Sequence, residues 1–145
     1  MNVLNWGNVR PGLYSAGQPA ANDWHDIRDL GVRTVINLRP DHEQPGAYEA
    51  GLVERAGMNY RQLPVASGAA IDRECVARFA DLLAQYGNDD LLVHCASGNR
   101  VGALFALQQH FHAGASVDDA LAFGRRAGLT GLEARARELM MHTAS

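Results

Sequence analysis

Short apolar runs alternate along this chain with stretches whose apolar residues recur every three or four positions, and that alternation predicts a mostly parallel sheet covered by helices. GLYSAGQP (12–19) predicts a short strand that ends in a turn containing Gly17 and Pro19. Asn22 is placed to cap a helix running through Leu30 and stopping at Gly31. RTVINLR (33–39) is the clearest buried strand, and the polar loop PDHEQPG follows it. A helix over 47–56 ends at Gly57, and NYRQLPV (59–65) predicts the next strand. Beyond the flexible SGAA, Asp72 is placed to cap a helix that carries Val76, Phe79, Leu82, Leu83 and Tyr86 on one face and ends at Gly87.

The most apolar run, LLVHC (91–95), leads directly into VGALFALQQHF (101–111), a strand feeding a helix. Ser116 with Asp119, and Thr130 with Glu133, stand in capping-box spacing for two further helices. The expectation is an α/β fold with a central sheet of four or five strands, helices on both faces and LLVH in the middle. No repeat, linker or low-complexity tract divides it.

Composition narrows the function without changing this picture. With 145 residues, 47% hydrophobic and 20% charged, the chain reads as one domain over 1–145, able to bury a core without metals or disulfides. Cys75 and Cys95 are therefore expected to be free thiols. A net charge of −3 with scattered arginines excludes the basic footprint of a nucleic-acid binder. The beginning, MNVLNWGNVRPG, lacks the pattern of a signal peptide, and no run is long enough to span a membrane. A soluble, cytoplasmic protein is expected. His110 and His112 point to different sides of a helix, so neither a metal site nor a cofactor is expected.

The chemistry concentrates in the loop 95–100. It sits at the carboxyl end of one strand and the amino end of a helix, where unpaired amides and the helix dipole favour a bound oxyanion or a thiolate. Ala96, Ser97, Gly98 and Asn99 would supply converging backbone N–H groups, with Gly98 permitting the curl. Arg100 adds a planar fork of donors suited to phosphate or sulfate. A Cys95 thiolate beneath such an anion is a nucleophile in position. Cys75, beside Val76 on a helix, reads as a packing residue. Trp6 and Trp24 also read as packing residues.

His94, Cys95, Gly98 and Arg100 resemble the signature loop of the protein-tyrosine-phosphatase superfamily, His-Cys, five residues, then Arg. GLYSAGQP, GVRTVINLRPD and LLVHC resemble, in order and spacing, the small bacterial dual-specificity-like phosphatases. They are most similar to the phosphatase-like domain joined to beta-lactamase-like hydrolases. The resemblance implies that Cys95 attacks an anionic centre, that the loop amides and Arg100 hold its oxygens, and that His94 lies buried behind the loop and tunes the thiolate. It also implies that Ser15, Gly17 and Gln18 lie near the site.

Three positions depart from the family pattern. Four residues, not five, separate Cys95 from Arg100, a spacing that also resembles the persulfide-carrying loop of rhodanese-type sulfurtransferases. Val101 stands where the phosphatases commonly place Ser or Thr. The family's acid Asp is expected on the loop after NYRQLPV, but VASGAA occupies that stretch, with Ser67 or a neighbour at the expected place. Asp72 lies further on and could be only a helix cap. Asp41 is an alternative, because its loop also leaves a strand's carboxyl end. Arg39, Asp41, His42 and Glu43 form either the charged rim of the pocket or a solvated loop.

Three functions fit these residues. The first is hydrolysis of a phosphomonoester through a phosphocysteine on Cys95, with Asp41, Asp72 or no general acid. The second is sulfur transfer through a Cys95 persulfide, and the third is oxyanion binding without turnover. Each takes a small anionic substrate or a phosphorylated molecule, alone or beside a partner enzyme that the sequence does not identify.

Overall fold

The computed structural model describes residues 1–87 and 90–142. Its strands are β1 (Gly7–Arg10), β2 (Leu13–Ala16), β3 (Thr34–Asn37), β4 (Asn59–Gln62) and β5 (Leu91–His94), forming one sheet in the order β1-β2-β5-β3-β4. β1 runs antiparallel to β2, and all other neighbours are parallel. Every residue of β3 and β5 is buried, the polar Thr34, Asn37 and His94 included, as a sheet covered on both sides requires. LLVH is thus central, with β2 and β3 as its neighbours.

The helices are α1 (Trp24–Asp29), α2 (Gly46–Arg55), α3 (Arg73–Tyr86), α4 (Asn99–Ala113), α5 (Val117–Arg126) and α6 (Glu133–Met141). They divide between two cores. Leu91 and Val93 pack with Phe79 of α3, Leu104 of α4, Leu121 of α5 and Met140 of α6. Leu92 faces the other way, towards Trp24 and Ile27 of α1 and Val53 of α2. Period-2 alternation along β5 therefore sends consecutive side chains into different cores. Each such Leu or Phe stabilises the fold by roughly 1.5–3 kcal/mol when fully buried. Among the described residues, no helix is long and apolar enough to cross a membrane.

Two expected caps form: Asp72 Oδ1 accepts from the Cys75 amide at 2.8 Å, and Ser116 Oγ accepts from the Asp119 amide at 3.1 Å. Two do not. Asn22 lies inside a short 3-10 turn, and Asp23 instead accepts from the Ala20 amide at 2.9 Å. Thr130 contributes only its backbone carbonyl to Glu133, whose carboxylate pairs with Arg125 at 2.7 Å. The strand expected over 59–65 ends at Gln62, although Leu63 and Val65 still donate to Asn37 and Leu38. β1 is unanticipated: its hairpin with β2 turns at Pro11 and Gly12, a Pro-Gly signal that sequence patterning passes over because only Val9 of that strand is buried.

Candidate active site

Cys95 directly follows β5 and is 0% exposed. Its amide donates to Ala16 at 3.3 Å, continuing the parallel ladder, and its sulfur accepts from the Gly98 amide at 3.1 Å. Gly98 begins α4 in a left-handed conformation, φ 98°, which a side chain would strain. Two loop carbonyls are drawn outward: Ala96 O accepts from the Gln18 amide at 3.0 Å and Ser97 O from Asn5 Nδ2 at 2.7 Å. Turning the carbonyls away leaves the amide side of the loop for an anion. The Asn99 side chain points away from the cradle, where Oδ1 accepts from the amides of Thr130 and Leu132 at 2.9 and 3.2 Å. Gly128 packs beneath the loop, with room at its α-carbon for nothing larger than hydrogen: a β-carbon there would sit 2.7 Å from Gly98 O.

Arg100 is oriented by two acceptors. Nη1 donates to Glu43 Oε2 at 2.9 Å and to Val65 O at 2.6 Å, while Nη2 donates to Glu43 Oε1 at 2.9 Å. A guanidinium carries five N–H donors, so the Nε proton and one Nη2 proton remain, along a single edge. Burial opposes the charge, but the Glu43 hydrogen bond and the Cys95 sulfur together hold Arg100 protonated above its ordinary value. Glu43 is held below the usual carboxylate range by its hydrogen bond to Arg100, against the effect of burial, with Arg39 assisting.

Arg39 continues the network. Nε donates to Glu43 Oε1 at 3.2 Å and Nη1 to Gln18 Oε1 at 3.1 Å. Gln18 Nε2 then donates to Glu49 Oε1 at 2.7 Å, and Glu49 Oε2 lies 2.7 Å from His94 Nε2. The chain of contacts runs from Arg100 through Glu43, Arg39, Gln18 and Glu49 to His94. Arg39, Glu43 and Gln18 therefore stand together at the site. Glu49 and Asn5 are members that sequence reading overlooks. Glu49 shares the helical spacing of the buried Val53 and Ala56, and a carboxylate on an apolar face is the signal that marks it.

The other candidates are not part of this chain of contacts. Asp41 Oδ1 accepts from the Gly46 amide at 3.0 Å and from Gln62 Nε2 at 3.1 Å, and these bonds, Gln62 first, hold it below its ordinary value. Asp72 caps α3 on its exposed side. His42 and Ser67 are exposed. Gly17 abuts the loop, where a β-carbon would meet Ala96 O at 2.8 Å, and Ser15 is buried with its hydroxyl unpartnered. Cys75 is half-buried on α3, and burial pushes its thiol up. Trp24 packs 5.9 Å from the His94 ring and Trp6 5.1 Å from Tyr14. His110 bonds the Ala115 carbonyl at 2.9 Å near the far end of α4.

The sequence model of a family described as "DSP-PTPase phosphatase fused to NAD+ Kinase" matches residues 8–142. A beta-lactamase hydrolase-like protein of Xylella fastidiosa is 31% identical over 125 residues, covering 83% of this chain and 28% of that protein. Mouse dual specificity protein phosphatase 26 is 31% identical over 110 residues, covering 71% of this chain and 52% of that one. The chain thus spans well under two thirds of either relative. A solved structure from Shewanella putrefaciens, a DUF442 protein described as a candidate phosphatase, superposes with a TM-score of 0.77 at 25% identity, covering 99% of this chain and 90% of that one.

Proposed function

The chain belongs to the DSP-PTPase phosphatase family, and from that premise we propose that it hydrolyses phosphomonoesters through Cys95. One observation carries the reading: a buried thiol takes the Gly98 amide on its sulfur and interacts with Arg100, whose Nε proton and second Nη2 proton are not taken by Glu43 or Val65. The substrate's phosphoryl oxygens bind the loop amides and the Nε/Nη2 edge of Arg100. The Cys95 thiolate attacks phosphorus, forming an S–P bond as the bond to the leaving oxygen breaks. Water then attacks the phosphocysteine, the S–P bond breaks, and phosphate leaves with the thiolate restored. Because the sulfur is fully covered in this structure, substrate entry requires the rim to part.

The leaving oxygen takes its proton from water in this scheme. Asp41 and Asp72 both serve as acceptors for backbone amides, and Asp41 is held ionised, so neither is poised to donate. Activity should therefore favour acidic leaving groups such as phenols, and Asp41→Asn should keep kcat within a few-fold. A loss of a hundredfold or more in that variant would make Asp41 the acid.

The same engagement of the carboxylates supports a second reading, sulfur transfer. There the thiolate attacks the outer sulfur of thiosulfate, sulfite leaves, and a Cys95 persulfide remains without any proton delivered to a leaving alcohol. Intact-mass analysis after incubation with an aryl phosphate or with thiosulfate separates the two, with Cys95→Ser as control. Phosphate release supports hydrolysis and a retained sulfur adduct supports transfer. Neither result would leave an oxyanion-binding module. Relatives in which this fold forms part of a longer hydrolase-like protein support a portable domain working beside a second enzyme.

A further inference from the structure

Behind the nucleophile, on the side away from the anion cradle, two ionisable side chains are buried against each other. Glu49 of α2 is 1% exposed and His94 of β5 is 0% exposed, with Oε2 2.7 Å from Nε2. Their neighbours dictate where the protons sit. Arg39 can only donate, so Gln18 Oε1 accepts from it at 3.1 Å, and Gln18 Nε2 must then be the donor to Glu49 Oε1 at 2.7 Å. His94 Nδ1 lies 3.3 Å from the Cys95 carbonyl oxygen, which can only accept, so Nδ1 carries a proton. Two bare acceptors would repel at 2.7 Å, so a further proton occupies the contact between Oε2 and Nε2.

We propose that Glu49 is a positioning residue for the nucleophile: it holds that further proton on His94, making a buried carboxylate–imidazolium pair whose positive member faces the Cys95 carbonyl. The proposal deepens the reading of Cys95 as nucleophile and rests on it. An imidazolium donating from Nδ1 polarises the Cys95 peptide and favours negative charge on the adjoining sulfur. Without a carboxylate beside it, a buried imidazolium would release its proton, because desolvation penalises the charged form. The other ionisable groups packed around the pair and the sulfur do not replace Glu49. Tyr60 of β4 is pushed up to about 12, chiefly by burial, with Glu49 and Asp41 adding to the effect, so its phenol stays neutral. Arg39 and Glu43 reach the pair only through Gln18, and Arg100 bonds Glu43 and Val65 rather than either member of the pair.

Glu49→Gln tests this with little change of shape. Gln18 still donates to the new Oε1, which turns the new Nε2 donor towards His94 and leaves the imidazole neutral, protonated on Nδ1 alone. Ring-nitrogen NMR should show both His94 nitrogens protonated in the wild type near neutral pH and only one in the variant. The midpoint of the pH dependence of Cys95 alkylation by iodoacetamide should rise by about one unit, or about tenfold less thiolate at a fixed pH below it. A purely structural Glu49 would lower Tm and leave that midpoint in place, which would overturn the proposal. An unprotonated ring nitrogen in wild-type His94 would overturn it without any variant, so poor folding of Glu49→Gln gives no shelter. If wild-type Cys95 fails to alkylate at all, the nucleophile reading fails first, and the nitrogen spectra still report whether the buried ion pair exists.

Discussion

Arg100 and Glu43 meet edge to edge, Nη1 on Oε2 and Nη2 on Oε1, each at 2.9 Å. This pairing joins the start of α4 to the loop after β3, two segments that are 57 residues apart. Because Val65 takes the other Nη1 proton, the pair also decides which guanidinium edge is left for a ligand.

Glu43→Gln should lower stability at neutral pH by about 1.5 to 3 kcal/mol, the range for a hydrogen bond to a charged group. Glu43 is held below its ordinary value of 4.5 by the Arg100 hydrogen bond. A carboxylate depressed in the folded state contributes stability that is present above its unfolded value and is lost as pH falls through the lower folded value. The Tm difference between wild type and variant should therefore narrow on acidification below 4.5. A gap that stays constant down to about pH 3 would show that the ion pair adds no stability.

Arg100→Ala should weaken phosphate or sulfate binding on the order of ten- to a hundredfold, the loss of a charged hydrogen bond to an anion. Arg100→Lys should recover little, since a point charge cannot offer two parallel donors. Calorimetric affinity and Tm measured on the same proteins separate binding from folding. Unchanged anion affinity in Arg100→Ala would eliminate the cradle.

Cys95, not Cys75, should take up iodoacetamide near neutral pH, with phosphate or vanadate protecting it. Burial pushes the Cys75 thiol up, away from the reactive thiolate. Peptide mapping that finds the label chiefly on Cys75 would mark the buried Cys95 as a packing residue.

Gly128→Ala should impair the cradle from outside it. Gly128 has φ 109°, and a β-carbon would press on Gly98 O, so both strain and displacement are expected. Gly114 separates the two effects: its φ is 76°, but a β-carbon there meets nothing within 4 Å. Both substitutions should cost about 1 to 3 kcal/mol from the left-handed backbone. Only Gly128→Ala should also lower kcat, and equal turnover in the two variants would show that the loop tolerates the push.

Local pattern was enough to read the central strand. Leu91 to His94 are buried on both faces, and the apolar run of Leu91, Leu92 and Val93 leading into a helix marks a covered strand in an α/β chain. That Cys95, Gly98 and Arg100 share one strand-to-helix loop was legible for a related reason, since such a junction is local in sequence. Where burial did not mark the residues, reading failed: β1 carries one buried residue of four, and Thr130 has the spacing of a cap while its amide donates to Asn99 and Arg125 takes the Glu133 carboxylate.

The sequence by itself determined the order of the elements from β2 onwards, the location of the loop 95–100 and the two thiols, because those follow from periodicity and from neighbours a few residues apart. Only the tertiary structure decided how the charges pair. Glu43 with Arg100, Gln18 with Glu49 and Glu49 with His94 are separated by 57, 31 and 45 residues. Local spacing can mark Glu49 as a carboxylate on an apolar face, but it does not encode which residue Glu49 or Glu43 pairs with. These contacts form when β3 and β2 align on either side of β5 and bring the loops at their carboxyl ends to one place.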